Sequence, residues 1–139
     1  MALHLSALEA ERLLAKQGKP IANAIRQAAK GSQEAKLKMD TLAQLQGLPA
    51  WEAEHRFHPR RRWRLDYAWV EQQIALEVHG GVRSGGRHTR GTGFTNDREK
   101  MNEAVALGWT VIEATAEQIR NGQARAWLDT IFNNRGARG

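Results

Sequence analysis

Trp63-Arg64-Leu65-Asp66-Tyr67-Ala68-Trp69-Val70, then Glu71-Gln72-Gln73, then Ile74-Ala75-Leu76-Glu77-Val78-His79 is the stretch on which the fold turns. Trp63, Leu65, Tyr67 and Trp69 alternate with Arg64, Asp66, Ala68 and Val70, the two-residue period of a β-strand. Ile74, Leu76 and Val78 alternate in the same way with Ala75, Glu77 and His79. Glu71-Gln72-Gln73 suits a turn between them. The pattern predicts an antiparallel hairpin with one acid on each strand, Asp66 and Glu77, opposite an apolar face.

Outward from the hairpin, Glu54 to His58 reads as a short strand before it. Residues 80–93 carry six glycines and three arginines in fourteen positions, too little apolar surface for a core, and predict a mobile, positively charged loop. Asn96 is the expected cap of a helix through Asp97, Lys100, Met101, Ala104 and Val105, ending at Gly108. Trp109 to Ala114 reads as a buried strand, and Thr115 with Gln118 forms a capping-box pattern ahead of a short helix. A last helix is expected from Gln123 to Phe132, with a frayed tail beyond.

Before the strands the chain reads as helices. Ser6-Ala7-Leu8-Glu9 has capping-box spacing, and Gly18 can end that helix. Pro20 suits the start of a second, over Ile21 to Lys30, stopped by Gly31. Ser32 can cap a third, with Ala35, Met39, Leu42 and Leu45 on one face and Gly47 after it. The expected organisation is a helical extension over 1–48, a core over 49–132 and a flexible tail over 133–139. The class is α/β: a mixed β-sheet flanked by helices, with the N-terminal helical extension.

Composition narrows the chemistry. The 139 residues suit one core, at 41% hydrophobic and 26% charged. No cysteine is present, which excludes disulfides and thiolate metal sites and fits a reducing cytoplasm. Apolar runs are too short to span a bilayer, and Met1-Ala2-Leu3-His4 lacks the start of a signal peptide. The net charge is +6, and the excess lies in the first hundred residues: 7 basic against 4 acidic in 1–50, 10 against 7 in 51–100, 4 against 4 after that. A polyanionic partner is the natural reading. Acids set inside the basic middle segment would repel such a partner unless a cation lay between.

Asp66 and Glu77 fit that requirement, because two carboxylates on adjacent strands can hold a hard cation such as Mg²⁺. The plain alternative pairs them with Arg64 or Arg56. His79, two residues past Glu77, shares its face of the strand and could meet an attacking water or a phosphate. His88 lies in the glycine loop between Arg87 and Arg90. Asp97 and Lys100 stand three apart on one helix, hence on one face. Arg60-Arg61-Arg62 is a basic run at a turn, either solvated or a phosphate clamp beside the acids. Trp63, Trp69 and Trp109 read as core.

Arg64-Leu65-Asp66-Tyr67-Ala68, Ile74-Ala75-Leu76-Glu77-Val78-His79-Gly80-Gly81, Gly86-Arg87-His88, Asn96-Asp97-Arg98-Glu99-Lys100-Met101-Asn102 and Gly108-Trp109-Thr110-Val111-Ile112, taken in order, resemble the Vsr-like branch of PD-(D/E)xK endonucleases. That branch takes its name from the very-short-patch repair endonuclease, and small phage-encoded nucleases of the type are similar. The resemblance covers residues 54–120. It implies a restriction-endonuclease-like core and Mg²⁺-dependent hydrolysis of DNA phosphodiesters, with Mn²⁺ a substitute. It implies two core acids, carried over to Asp66 and Glu77, with His88 as the histidine after the second strand and Asp97 as a further metal ligand opening the next helix. It also implies an additional N-terminal acid, for which Glu54 is preferred to Glu52. The lysine of the motif is replaced here by His79, and Lys100 is the candidate substitute.

Arg60, Arg61, Arg62, Arg64, Arg83, Arg87 and Arg90 are the expected DNA contacts. The implied setting is the cytoplasm of a bacterium or a phage-infected cell. The choice among mismatch, nick and branched junction stays open, as does a homodimer. Two alternatives remain beside this reading. One is an HNH-type nuclease using His79 or His88 with Asn96 or Asn102. The other is a nucleic-acid-binding module whose nuclease site has degenerated.

Overall fold

A computed structural model describes residues 19–80 and 91–138. The expected helix at Ser6 lies outside these residues, as do positions 81–90 of the glycine segment. The chain clusters into two compact units, residues 1–39 and 40–139.

Helix α1 spans Lys19–Gln44 without interruption. The break expected at Gly31 does not occur. A single glycine costs a helix only about 1 kcal/mol relative to alanine, and nothing crowds this one. Most of α1 lies in the first unit.

The second unit holds a four-stranded sheet in the order β1 (Glu52–Arg56), β2 (Arg64–Trp69), β3 (Ile74–His79) and β4 (Thr110–Thr115). The first two pairings are antiparallel and β3–β4 is parallel, so the sheet is mixed. Helix α2 (Thr92–Ala106) makes the crossover from β3 to β4, and α3 (Ala116–Arg120) and α4 (Gln123–Arg138) follow. The fold is therefore α/β, as the alternating pattern predicts. The hairpin turn closes through Gln73 N donating to Val70 O, with Gln73 at φ 55°.

Two expectations about helix ends are corrected. Helix α2 is capped at Gly91, not Asn96, and so takes in Thr92 and Gly93 of the predicted loop. Helix α4 continues past Phe132 to Arg138, so the expected frayed tail is helical through that point. Thr115 and Gln118 do form the reciprocal capping box at the start of α3.

Packing on both faces of the sheet explains the apolar alternation. Ala68 and Ala75 join Leu65, Ala104 of α2 and Trp109 in one buried cluster, with Phe57 and Val111 against it. Small residues on the strands let α2 approach closely. On β2 the next side chain, Trp69, is fully buried, meets Phe132 of α4 edge-on at 5.4 Å and donates its indole N–H to Pro49 O. Trp69 and Trp109 are thus core. Trp63 is only half-buried and carries the Arg61 guanidinium over its ring at 4.1 Å.

Helix α2 passes into β4 through a tight turn at Gly108. Gly108 N donates to Val105 O and Trp109 N to Ala104 O, the paired bonds of a Schellman ending. Gly108 has φ 98°, and a Cβ there would stand 3.1 Å from Gln73 Oε1. Gly108→Ala should therefore cost about 1–2 kcal/mol of stability, the left-handed penalty for an L-residue, read as a lowered urea midpoint with an unchanged slope.

Candidate functional site

The pairing of β2 with β3 stops short. Trp69 faces Ile74, Ala68 faces Ala75 and Tyr67 faces Leu76, and there the ladder ends. Yet β2 goes on pairing with β1 as far as Arg64, and β3 with β4 as far as His79. Where the next pair would fall, Asp66 and Glu77 substitute side chains for backbone. Glu77 Oε2 accepts from Asp66 N at 2.7 Å, and Asp66 Oδ2 accepts from Val78 N at 2.8 Å. Each carboxylate satisfies an amide of the opposite strand. Such charge-assisted bonds are short and stronger than neutral ones, which offsets the interrupted ladder.

Glu77 is 5% exposed. Its other oxygen, Oε1, accepts from Lys100 Nζ of α2. Met101 and Ala104 of the same helix are buried, which sets the face of α2 that meets the sheet. Removing Lys100 would leave the buried carboxylate with only the Asp66 amide to offset its charge. Burial and then the negative charge of Asp66 push the Glu77 carboxyl from the ordinary 4.5 up to about 7, against the opposing pull of Lys100 and the Asp66 amide.

The donor chemistry fits a hard cation in part. Asp66 and Glu77 bring four carboxylate oxygens together, two of them anchored on amides. Among the described residues no group of three or more His, Asp or Glu side chains assembles. A Mg²⁺ ion held by these two acids would keep several of its waters, which suits that ion.

The other expected residues separate. Asp97 is half-exposed and pairs with Arg98, its neighbour on α2, not with the two acids. His79 lies on the strand face expected, but its Nε2 meets Glu113 Oε1 of β4 at 2.9 Å. Glu54 is exposed on β1 at φ 55° and stands at the level of Asp66, between the pairs Ala53–Tyr67 and His55–Leu65. Its charge helps raise the Tyr67 hydroxyl pKa, after burial and Asp66. Glu52 pairs with His55 at 2.9 Å. His88, Arg83, Arg87 and Arg90 lie outside the described residues.

Sequence reasoning missed Glu113, which the parallel register sets beside Glu77. The one available signal was an acid inside an otherwise apolar strand. It also missed the organisation of the arginine turn. His58 Nδ1 accepts from the backbone N–H of Arg60 at 3.1 Å and of Arg61 at 2.9 Å, while Nε2 lies 3.8 Å from Glu103 of α2. Arg61 reaches Glu99 on the same helix at 3.3 Å. Arg60, Arg62 and Arg64 are exposed. The turn is thus a fixed projection beside α2. No helix among the described residues is long and apolar enough to cross a membrane.

No protein-family model, curated protein or solved structure matches this chain.

The buried carboxyl sets a pH dependence. A carboxyl whose pKa is raised by folding holds its proton more tightly in the folded state. Its stabilisation is full below pH 4.5 and is lost as pH rises through about 7, a loss on the order of 3 kcal/mol. Metal-free protein should therefore unfold at lower urea at about pH 8 than at about pH 5. Glu77→Gln should remove most of that difference, and an equal slope in the variant would place the titration elsewhere.

Proposed function

We propose that this chain is a metal-dependent endonuclease that hydrolyses DNA phosphodiester bonds. Asp66 and Glu77 would hold the cation, and Lys100 would serve as the lysine of the site. The observation that carries this reading is the fork between β2 and β3, with two carboxylates fixed on backbone amides and one lysine brought to them from the crossover helix.

When bound, Mg²⁺ or Mn²⁺ would polarise the phosphate and supply hydroxide from a coordinated water. The protein's own groups do the rest. The strand amides keep the two carboxylates from rotating, so the site is organised before substrate arrives. Lys100 balances the negative charge of Glu77 and can turn its remaining protons toward the attacking water or a phosphate oxygen. His79 flanks Glu77 on β3 and can contact the attacking water. Asp97, whose partner is Arg98, is set aside as a ligand in this proposal. The exposed arginines of the 57–63 connection bind DNA phosphates, which positions the duplex without reading its sequence. A nick, mismatch or branched junction is the proposed target, with a homodimer as the proposed assembly.

Labelled linear, mismatched and four-way-junction DNAs, incubated with Mg²⁺, Mn²⁺ or EDTA, test the activity. Cleavage should need the metal, Asp66→Asn and Glu77→Gln should abolish it, and Lys100→Ala should slow it about 100-fold or more. Cutting that survives EDTA or Asp66→Asn would refute the metal-site assignment. Tight binding with no cleavage under any metal would favour a binding module instead.

Neutralising Arg60, Arg61 and Arg62 together should weaken binding to all DNA sequences alike. It should also lower the slope of log affinity against log salt by about 0.9 for each phosphate that the protein no longer neutralises. An unchanged slope would move the footprint off this turn.

A further inference from the structure

We propose that Glu113 is a positioning residue for His79, fixing which ring nitrogen faces the attacking water. The inference rests on the nuclease reading above for its catalytic part and on geometry alone for its structural part. Glu113 stands on β4 directly beside Glu77 of β3, so its carboxylate borders the site. Glu113 Oε1 lies 2.9 Å from His79 Nε2 and 3.7 Å from the Arg98 guanidinium. Arg98 is itself held on α2 by Asp97 and by the Phe94 ring, 5.3 Å from the guanidinium. The carboxylate is thus steadied between the helix and the histidine.

An ionised carboxylate only accepts hydrogen bonds, so the nitrogen facing it must carry a proton. The pair therefore selects the Nε2–H tautomer of neutral His79. Nδ1 is left with its lone pair, the nitrogen available to accept a proton from the attacking water. Partners of this kind act on a site by orienting its groups. The pair is half-exposed, and a hydrogen bond in such a place adds little to folding stability. Its presence at the edge of the two-acid fork is better explained by orientation than by stability.

Two measurements on the full chain test this. In ¹⁵N-edited imidazole spectra at about pH 8, His79, assigned by its loss in His79→Ala, should carry its proton on Nε2 in the wild type and mix tautomers in Glu113→Ala. Single-turnover cleavage should fall about 10- to 100-fold in Glu113→Ala with DNA affinity and melting temperature nearly unchanged. In a His79→Ala background the same change should cost nothing further, and Glu113→Gln, which keeps an acceptor of the same shape, should recover part of the rate. A wild-type proton on Nδ1, a tautomer indifferent to Glu113→Ala, or a loss that adds fully to that of His79→Ala would overturn the proposal. Wild-type protein that cuts no DNA, with the tautomer still set by Glu113, would refute the nuclease reading and leave the positioning intact.

Discussion

Asp66 and Glu77 each hold the backbone of the other's strand, and most of what is distinctive in this fold follows from that exchange. A β-ladder normally satisfies its amides with carbonyls. Here, for one pair, carboxylates take their place. The strands can then part while β1 and β4 go on pairing at the outer sides. The result is a gap in the β2–β3 ladder bordered by two carboxylates and the Lys100 ammonium, with both acids anchored on backbone amides. A buried acid would ordinarily seek a single cationic partner or give up its charge. Glu77 has amide and ammonium partners and still carries a raised pKa, because burial and Asp66 together outweigh them.

Helix α2 is the second half of the arrangement. Its buried residues, Met101 and Ala104, seat it on the small side chains of the sheet, and this brings Lys100 over Glu77. Neighbouring polar positions of the same helix reach outward to other parts of the unit. Arg98 goes to Glu113 on β4, Glu99 to Arg61, and Glu103 toward His58. One helix thus fixes the lysine, the edge carboxylate and the arginine turn relative to one another. The Schellman ending at Gly108 turns that helix into β4 beside the hairpin turn, where Thr110 N donates to Gln73 O.

Much of the fold was legible because alternation and capping are local. The two hairpin strands, their turn, the crossover to a further strand and the capping box at Thr115 all depend on neighbours in sequence. Element ends were less legible. Gly31 reads as a helix stop, yet its cost is small against a long run of good helix formers. Asn96 reads as a cap, yet the helix begins earlier, at Gly91, because a good capping residue inside a helix costs little. The end of α4 lies beyond the expected Phe132: Asn133, Asn134 and Gly136 are weak helix formers, yet the helix runs through them to Arg138.

The sequence by itself determined that two acids would sit on adjacent strands within a basic segment, since a period of two and one turn length are enough to bring them level. Its resemblance to PD-(D/E)xK endonucleases also singled out Lys100, as a candidate in place of the motif lysine. Only the tertiary structure decided between the polar groups nearby. Which of His79 and Lys100 reaches Glu77, and whether Asp97 joins the acids or pairs with Arg98, depend on the height and rotation of α2 over the sheet. Those are set by packing among residues far apart in the chain. Glu113 belongs to the same class: a parallel pairing across a crossover placed it beside Glu77, and no local pattern encodes that register.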